Sequence, residues 1–102
     1  MTGQLTEAEI NRLKAQYGKI YEITAEDDGE QYVAYFRRPD MGTLSAMTKM
    51  AKTDEIKASQ ILLENCFVGG ADTVKSDTSL FMATVGELSK IVGAAKATIK
   101  NV

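Results

Sequence analysis

The sequence has no histidine, no tryptophan, a single cysteine at Cys66 and a single proline at Pro39. Without histidine there is no imidazole acid–base catalysis and no imidazole metal ligand. One cysteine cannot form an intrachain disulfide or a multi-cysteine metal centre. With no base to activate it, Cys66 reads as a small hydrophobe in a reduced compartment. Most hydrolase chemistries leave with these residues, and no catalytic pair, metal site or cofactor is expected. Positive charge is not in excess either: 12 basic residues stand against 14 acidic ones, for a net charge of −2. Nucleic-acid binding needs a field of Lys and Arg, and the only adjacent basic pair is Arg37-Arg38. The longest uncharged run, Thr78 to Gly86, is too short to span a bilayer, and Met1 to Glu7 lacks a positive flank followed by an apolar stretch. A cytoplasmic protein with neither membrane nor nucleic acid as partner is expected.

What is present, 44% hydrophobic and 25% charged residues in a chain of 102, is the balance of one folded domain over residues 1–102. Thr6-Glu7-Ala8-Glu9 is a capping box with Leu5 and Ile10 at the hydrophobic-staple positions. It predicts a helix over about 7–17, with Ile10, Leu13 and Tyr17 on one face and Gly18 ending it. Residues 19–38 read as a β-hairpin about Asp28-Gly29, a dipeptide suited to a two-residue turn. With that loop, Tyr21 faces Phe36, Ile23 faces Ala34 and Ala25 faces Tyr32 on one apolar side. The opposite side pairs Glu22 with Tyr35 and Thr24 with Val33, a mixed surface on which Val33 and Tyr35 are the notable exposures. A two-stranded ribbon is marginal alone, so helices or a neighbouring subunit must cover its apolar side.

Pro39 breaks the strand, and Asp40 caps a helix over about 41–52 carrying Leu44, Met47, Met50 and Ala51. Thr53 or Asp54 starts another over about 54–67, with Ile56, Ile61, Leu62, Leu63, Cys66 and Phe67, and Gly69-Gly70 is its stop signal. Gly69 to Ser76 reads as a loop. Asp77 then caps a long closing helix over about 77–100, whose apolar face is Phe81, Val85, Leu88, Val92, Ala95 and Ile99. Gly86 and Gly93 inside that helix cost about 1 kcal/mol each against Ala, which close packing of another backbone explains. The small-residue stripe Ala83, Gly86, Gly93 and Ala97 serves intramolecular packing, self-association or the docking of a partner helix, so a homo-oligomer stays open. The fold class expected is α+β: a short N-terminal helix, an antiparallel hairpin, then three helices of which the last is long.

Candidate ligand motifs fail on spacing. Glu26-Asp27-Asp28-Gly29-Glu30 lacks the alternating ligands of an EF-hand loop, and Gly69-Gly70 has no Gly-Lys-Ser/Thr ending for phosphate. Methionine is more informative. Met47, Met50 and Met82, with Phe81, either fill the core or floor a groove that accepts apolar helices. These four, together with Val33 and Tyr35, are the candidate protein-binding residues.

The order of elements, the strand ending Tyr35-Phe36-Arg37-Arg38-Pro39, and the segment Ile61 to Gly70 followed by Leu80-Phe81-Met82 resemble small phage tail assembly chaperones. The resemblance covers roughly Ile20 to Val92 and carries no invariant site. It implies a non-enzymatic intracellular protein that holds a long, helical tape-measure protein soluble until the tail tube polymerises around it. Two other classes are open: a structural virion or tail component assembling through the hairpin, and a small cytoplasmic regulatory module with one folded partner. Co-expression with the longest helical protein encoded nearby separates them. Retained solubility of that client is the expected outcome, whereas no effect and no co-purification count against the chaperone reading.

Overall fold

In the computed structural model, which describes residues 1–93 and 95–102, helix α1 spans Glu7–Tyr17. Its start is the expected capping box: the Glu9 N–H donates to Thr6 Oγ1 at 3.2 Å and the Thr6 N–H donates to Glu9 Oε1 at 3.2 Å. Strands β1 (Ile20–Asp27) and β2 (Glu30–Arg37) follow as an antiparallel hairpin. Tyr21 pairs with Phe36, Ile23 with Ala34 and Ala25 with Tyr32, the predicted register. Asp28 and Gly29 take φ values of 51° and 77°, the left-handed geometry whose twist matches the flanking strands. Helices α2 (Met41–Ala51) and α3 (Glu55–Cys66) begin at Asp40 and Asp54, each accepting a backbone N–H three residues on.

Beyond α3 the chain departs from expectation. Phe67–Gly70 is not the tail of a helix and its stop but a third strand, β3, antiparallel to β2. The sheet order is β1-β2-β3. A hairpin alone leaves the far edge of β2 with unpaired N–H and C=O groups, and these four residues fill it. Ala34 pairs with Gly70, Tyr35 with Gly69 and Phe36 with Phe67, with a register shift between Tyr35 and Phe36. Half of this strand is glycine, which strand propensity disfavours, so its sequence signals a stop rather than a strand. The expected loop also contains a short helix, α4 (Thr73–Ser76), which delivers Val74 to the core.

The last helix, α5, spans Thr78–Val92 and starts at Asp77, whose carboxylate accepts the Leu80 N–H at 3.0 Å. It stops eight residues short of the expected end. Residues 95–102 are exposed and carry no regular structure, and a helical extension without packing is marginal in water. Ala94, which the expected helix spans, lies outside the described residues. Gly93 is the C-cap of α5, not an interior position.

The sheet is covered on both faces. On the first, Ile23, Ala25, Ala34 and Phe36 meet Leu62, Leu63, Cys66, Val74, Leu80, Phe81 and Leu88 in one core cluster. Phe36 and Phe67 stack edge to face with centroids 5.8 Å apart. The second face corrects the expectation of exposure: Val33 and Tyr35 are each 1% exposed. The reason is the N-terminal segment. Thr2 extends the β3 edge, donating its N–H to the Gln31 carbonyl at 2.8 Å and accepting the Val33 N–H at 2.7 Å. The Leu5 N–H donates to the Tyr35 hydroxyl at 3.3 Å, and that hydroxyl donates to Glu22 Oε1 at 2.8 Å. Tyr17 of α1 lies under the Arg37 guanidinium, 5.7 Å from ring centroid to Cζ.

Two glycines make this closure sterically feasible. Gly70 has φ +96°, and a Cβ there would stand 2.5 Å from the Val33 carbonyl oxygen. Gly3, at φ +92°, would drive a Cβ into the same oxygen and into Ala71. Gly86 is the opposite case. A Cβ there would meet no atom of another element within 4 Å among the described residues, so close backbone packing does not explain it.

Replacing Gly70 with Ala should therefore destabilise the fold by about 3 kcal/mol, from left-handed strain plus the clash. Gly86→Ala, in open space, should stabilise it by about 1 kcal/mol. Thr84, fully buried in α5, holds a hydroxyl with no hydrogen-bond partner among the described residues. Thr84→Val removes that desolvated group at nearly constant shape and should raise stability by about 1 kcal/mol. Urea unfolding midpoints of the three variants check the signs.

Candidate functional site

Helix α2 packs against α3, and α3 packs against α5. Three convex cylinders in that order leave a furrow where α2 and α5 face each other across α3. It is an open groove of about 390 Å³, lined by Met47 and Ala51 from α2, by Glu55, Ala58, Ser59 and Leu62 from α3, and by Ser89 and Val92 from α5. Positions 55, 58, 59 and 62 recur at three- and four-residue spacing, so they form one stripe of α3. Alanine at 51 and 58 keeps the floor wide. Met47 is half-buried and also packs on the core, so it is both gap-filler and wall. Glu55 is the one charged residue among the lining.

The candidate protein-binding residues do not converge there. Met47 lines the groove, but Met50 stands at the turn between α2 and α3. Its carbonyl accepts the N–H groups of Thr53 and Asp54 at 3.0 and 2.8 Å. Phe81 is buried in the core. Met82 is exposed and lies on the opposite flank of α3, where with Ile56, Gln60, Lys75 and Phe81 it borders a smaller hollow of about 170 Å³. Val33 and Tyr35 are beneath the N-terminal segment and cannot meet a partner without its removal. Helical period puts Met50 and Met82 on plausible faces of their own helices, yet it does not show which of these faces borders the groove. The lining residues Ala51, Ala58, Ser59 and Ser89 carry a weaker signal: small side chains interrupting apolar faces.

Polar groups at the surface serve local structure. The Thr6 N–H and hydroxyl hold the Glu9 carboxyl below its ordinary range, and the Thr43 N–H does the same for Asp40, helped by Arg37. Among the described residues, no three cysteine or carboxylate side chains gather as a metal would require. No helix there is long and apolar enough to cross a membrane. Cys66 is fully buried, and desolvation pushes its thiol from 9.0 up to about 11. A thiol in that setting stays protonated at neutral pH, the reverse of an activated nucleophile.

The sign of the pH dependence follows. The unfolded thiol ionises first as pH rises through 9.0, while the folded one keeps its proton to about 11. Stability should thus be intact below pH 9.0 and fall between these two values, where the folded state binds more protons than the unfolded one. Tyr35, also raised by burial and by its bond to Glu22, adds to the loss from about 10.0 upward. Cys66→Ala should flatten the first part of that decline in urea melts across pH. Native protein at neutral pH should resist a thiol reagent that labels the unfolded chain.

No curated protein matches the chain. A solved structure of an uncharacterised protein, rbstp2171 from Bacillus stearothermophilus, is similar with a TM-score of 0.63 and 29% identity, covering 90% of this chain and 99% of that one. The family described as a domain of unknown function, DUF6848, matches residues 13–100, from within α1 to beyond α5, and the chain belongs to that family.

Proposed function

We propose that this chain is a non-enzymatic protein-binding module that seats an apolar helical segment in the α2–α3–α5 groove. In this reading it acts in the cytoplasm as a small tail assembly chaperone for a tape-measure-like client. The observation that carries the reading is the groove's chemistry: Met47, Ala51, Ala58, Leu62 and Val92 present apolar surface in an open furrow between helices. Recognition of a helix needs such a furrow, with anchors spaced three and four residues apart on the incoming face. Met47 can repack around different anchors because its thioether chain is unbranched and polarizable. Glu55 at the rim favours a client with a basic flank. Many modest contacts along a long client, each from a separate copy, give avidity without tight individual binding.

A structural component assembling by strand addition is a second reading, favoured by the position of β1 at the edge of the sheet. The hairpin's mixed face is covered by the N-terminal segment, so such assembly would use the β1 edge. Stable incorporation in finished particles distinguishes it.

The helix-binding reading is tested with a labelled amphipathic helical peptide and the longest helical protein encoded nearby. Ala51 is exposed in the groove wall, so Ala51→Glu should leave the circular dichroism spectrum unchanged while weakening peptide binding about tenfold or more. Met82→Ser, on the other flank of α3, should leave binding unchanged. Equal loss from both substitutions, or no binding by the unaltered chain, would overturn the assignment.

A further inference from the structure

The segment 95–102 is apolar in pattern yet stands in solvent. Ile99 and Val102 are fully exposed. Ala95, Ile99 and Val102 recur at i, i+4 and i+7, one stripe of a helix, with Lys96 and Lys100 along its flank. The radius of gyration, 14.9 Å, exceeds the roughly 13 Å of a compact domain of this size, and the longest extent is 52 Å. The DUF6848 match runs on to residue 100, so it takes in Ala95 to Lys100 of this stretch. At the foot of α5 lies a groove of the complementary kind. It has apolar walls, and its single lining charge, Glu55, is opposite in sign to Lys96 and Lys100.

We infer that residues 95–102 of one copy seat as a short helix in the α2–α3–α5 groove of a second copy, reciprocally, to form a two-fold dimer. Ile99 and Val102 enter between Met47, Leu62 and Val92, and a lysine of the flank meets Glu55. Path decides for the second copy over the chain's own groove. Val92, the last residue of α5, is itself part of the groove wall. Ala95 already borders a separate hollow with Arg38, Pro39 and Leu44, so the segment leaves the groove rather than turning back along it. A reciprocal exchange is self-complementary and closes at two copies. It also accounts for the lack of regular structure in the single chain, since a helix this short is not stable until docked. The inference rests on the groove being a helix acceptor, and adds that the chain's own C-terminal segment competes with a client for it.

Sedimentation of the full chain over a range of micromolar concentrations should show a reversible monomer–dimer equilibrium. Ile99→Asp and Ser89→Glu, both at exposed positions, should each weaken the dimer about tenfold or more with the fold intact by circular dichroism. Mixed together, the two variants should recover a heterodimer, because one supplies an unaltered groove and the other an unaltered segment. A chain that stays monomeric throughout, or a dimer indifferent to both substitutions, overturns the inference. The groove reading is scored separately, by binding of the labelled amphipathic peptide to the Ile99→Asp chain. Binding there with no dimer in the unaltered chain sinks only the exchange, whereas a dimer that behaves as described but binds no peptide sinks only the client.

Discussion

Enclosure of strand β2 is the constraint on which the structure depends. Val33, Ala34, Tyr35 and Phe36 are each at most 1% exposed, which a strand achieves only when both faces and both edges are covered. One edge is taken by β1 and the other by β3, continued by Thr2. One face rests on the cluster of α3, α4 and α5, and the other lies beneath the N-terminal segment. Helices α3, α4 and α5 and the N-terminal segment are positioned by these demands. The glycines at 3 and 70 are the steric condition for meeting two of them at the Val33 carbonyl.

The same demand explains where the molecule is left open. Helices α3 and α5 are committed to the sheet by Leu62, Leu63, Cys66, Leu80 and Leu88. Helix α2 meets that cluster through the half-buried Met47. It packs on α3, and its buried residue is Thr43 rather than a large hydrophobe. Met47 and Ala51 also line the furrow.

Much of the fold is legible in the sequence because its signals are local. The capping box at Thr6, the Asp caps at 40, 54 and 77, and the Asp28-Gly29 turn each act within a few residues, and the hairpin register follows from the turn by parity alone. The candidate site is legible only in part. Met47 does line the groove, but helical period assigns Met50, Phe81 and Met82 to the same surface, since it places a residue on a face of its own helix and says nothing of what lies across from it. Alternation misplaces Val33 and Tyr35. The unbroken apolar run Val33 to Phe36 is the signal of a strand buried on both sides.

Residue order alone determined the starts of α1, α2, α3 and α5, the turn, the hairpin pairing and the class α+β, because capping, turn geometry and strand alternation are settled by neighbours in the chain. Tertiary structure decided that Phe67–Gly70 is a strand, that α5 stops at Val92, and that Val33 and Tyr35 lie inside. Each of those outcomes turns on a distant surface or on its scarcity: an unpaired edge for β3, the exposure of residues 95–102, and the N-terminal segment over Tyr35. Burial is a property of pairs of surfaces, and one segment of sequence specifies only one of the two.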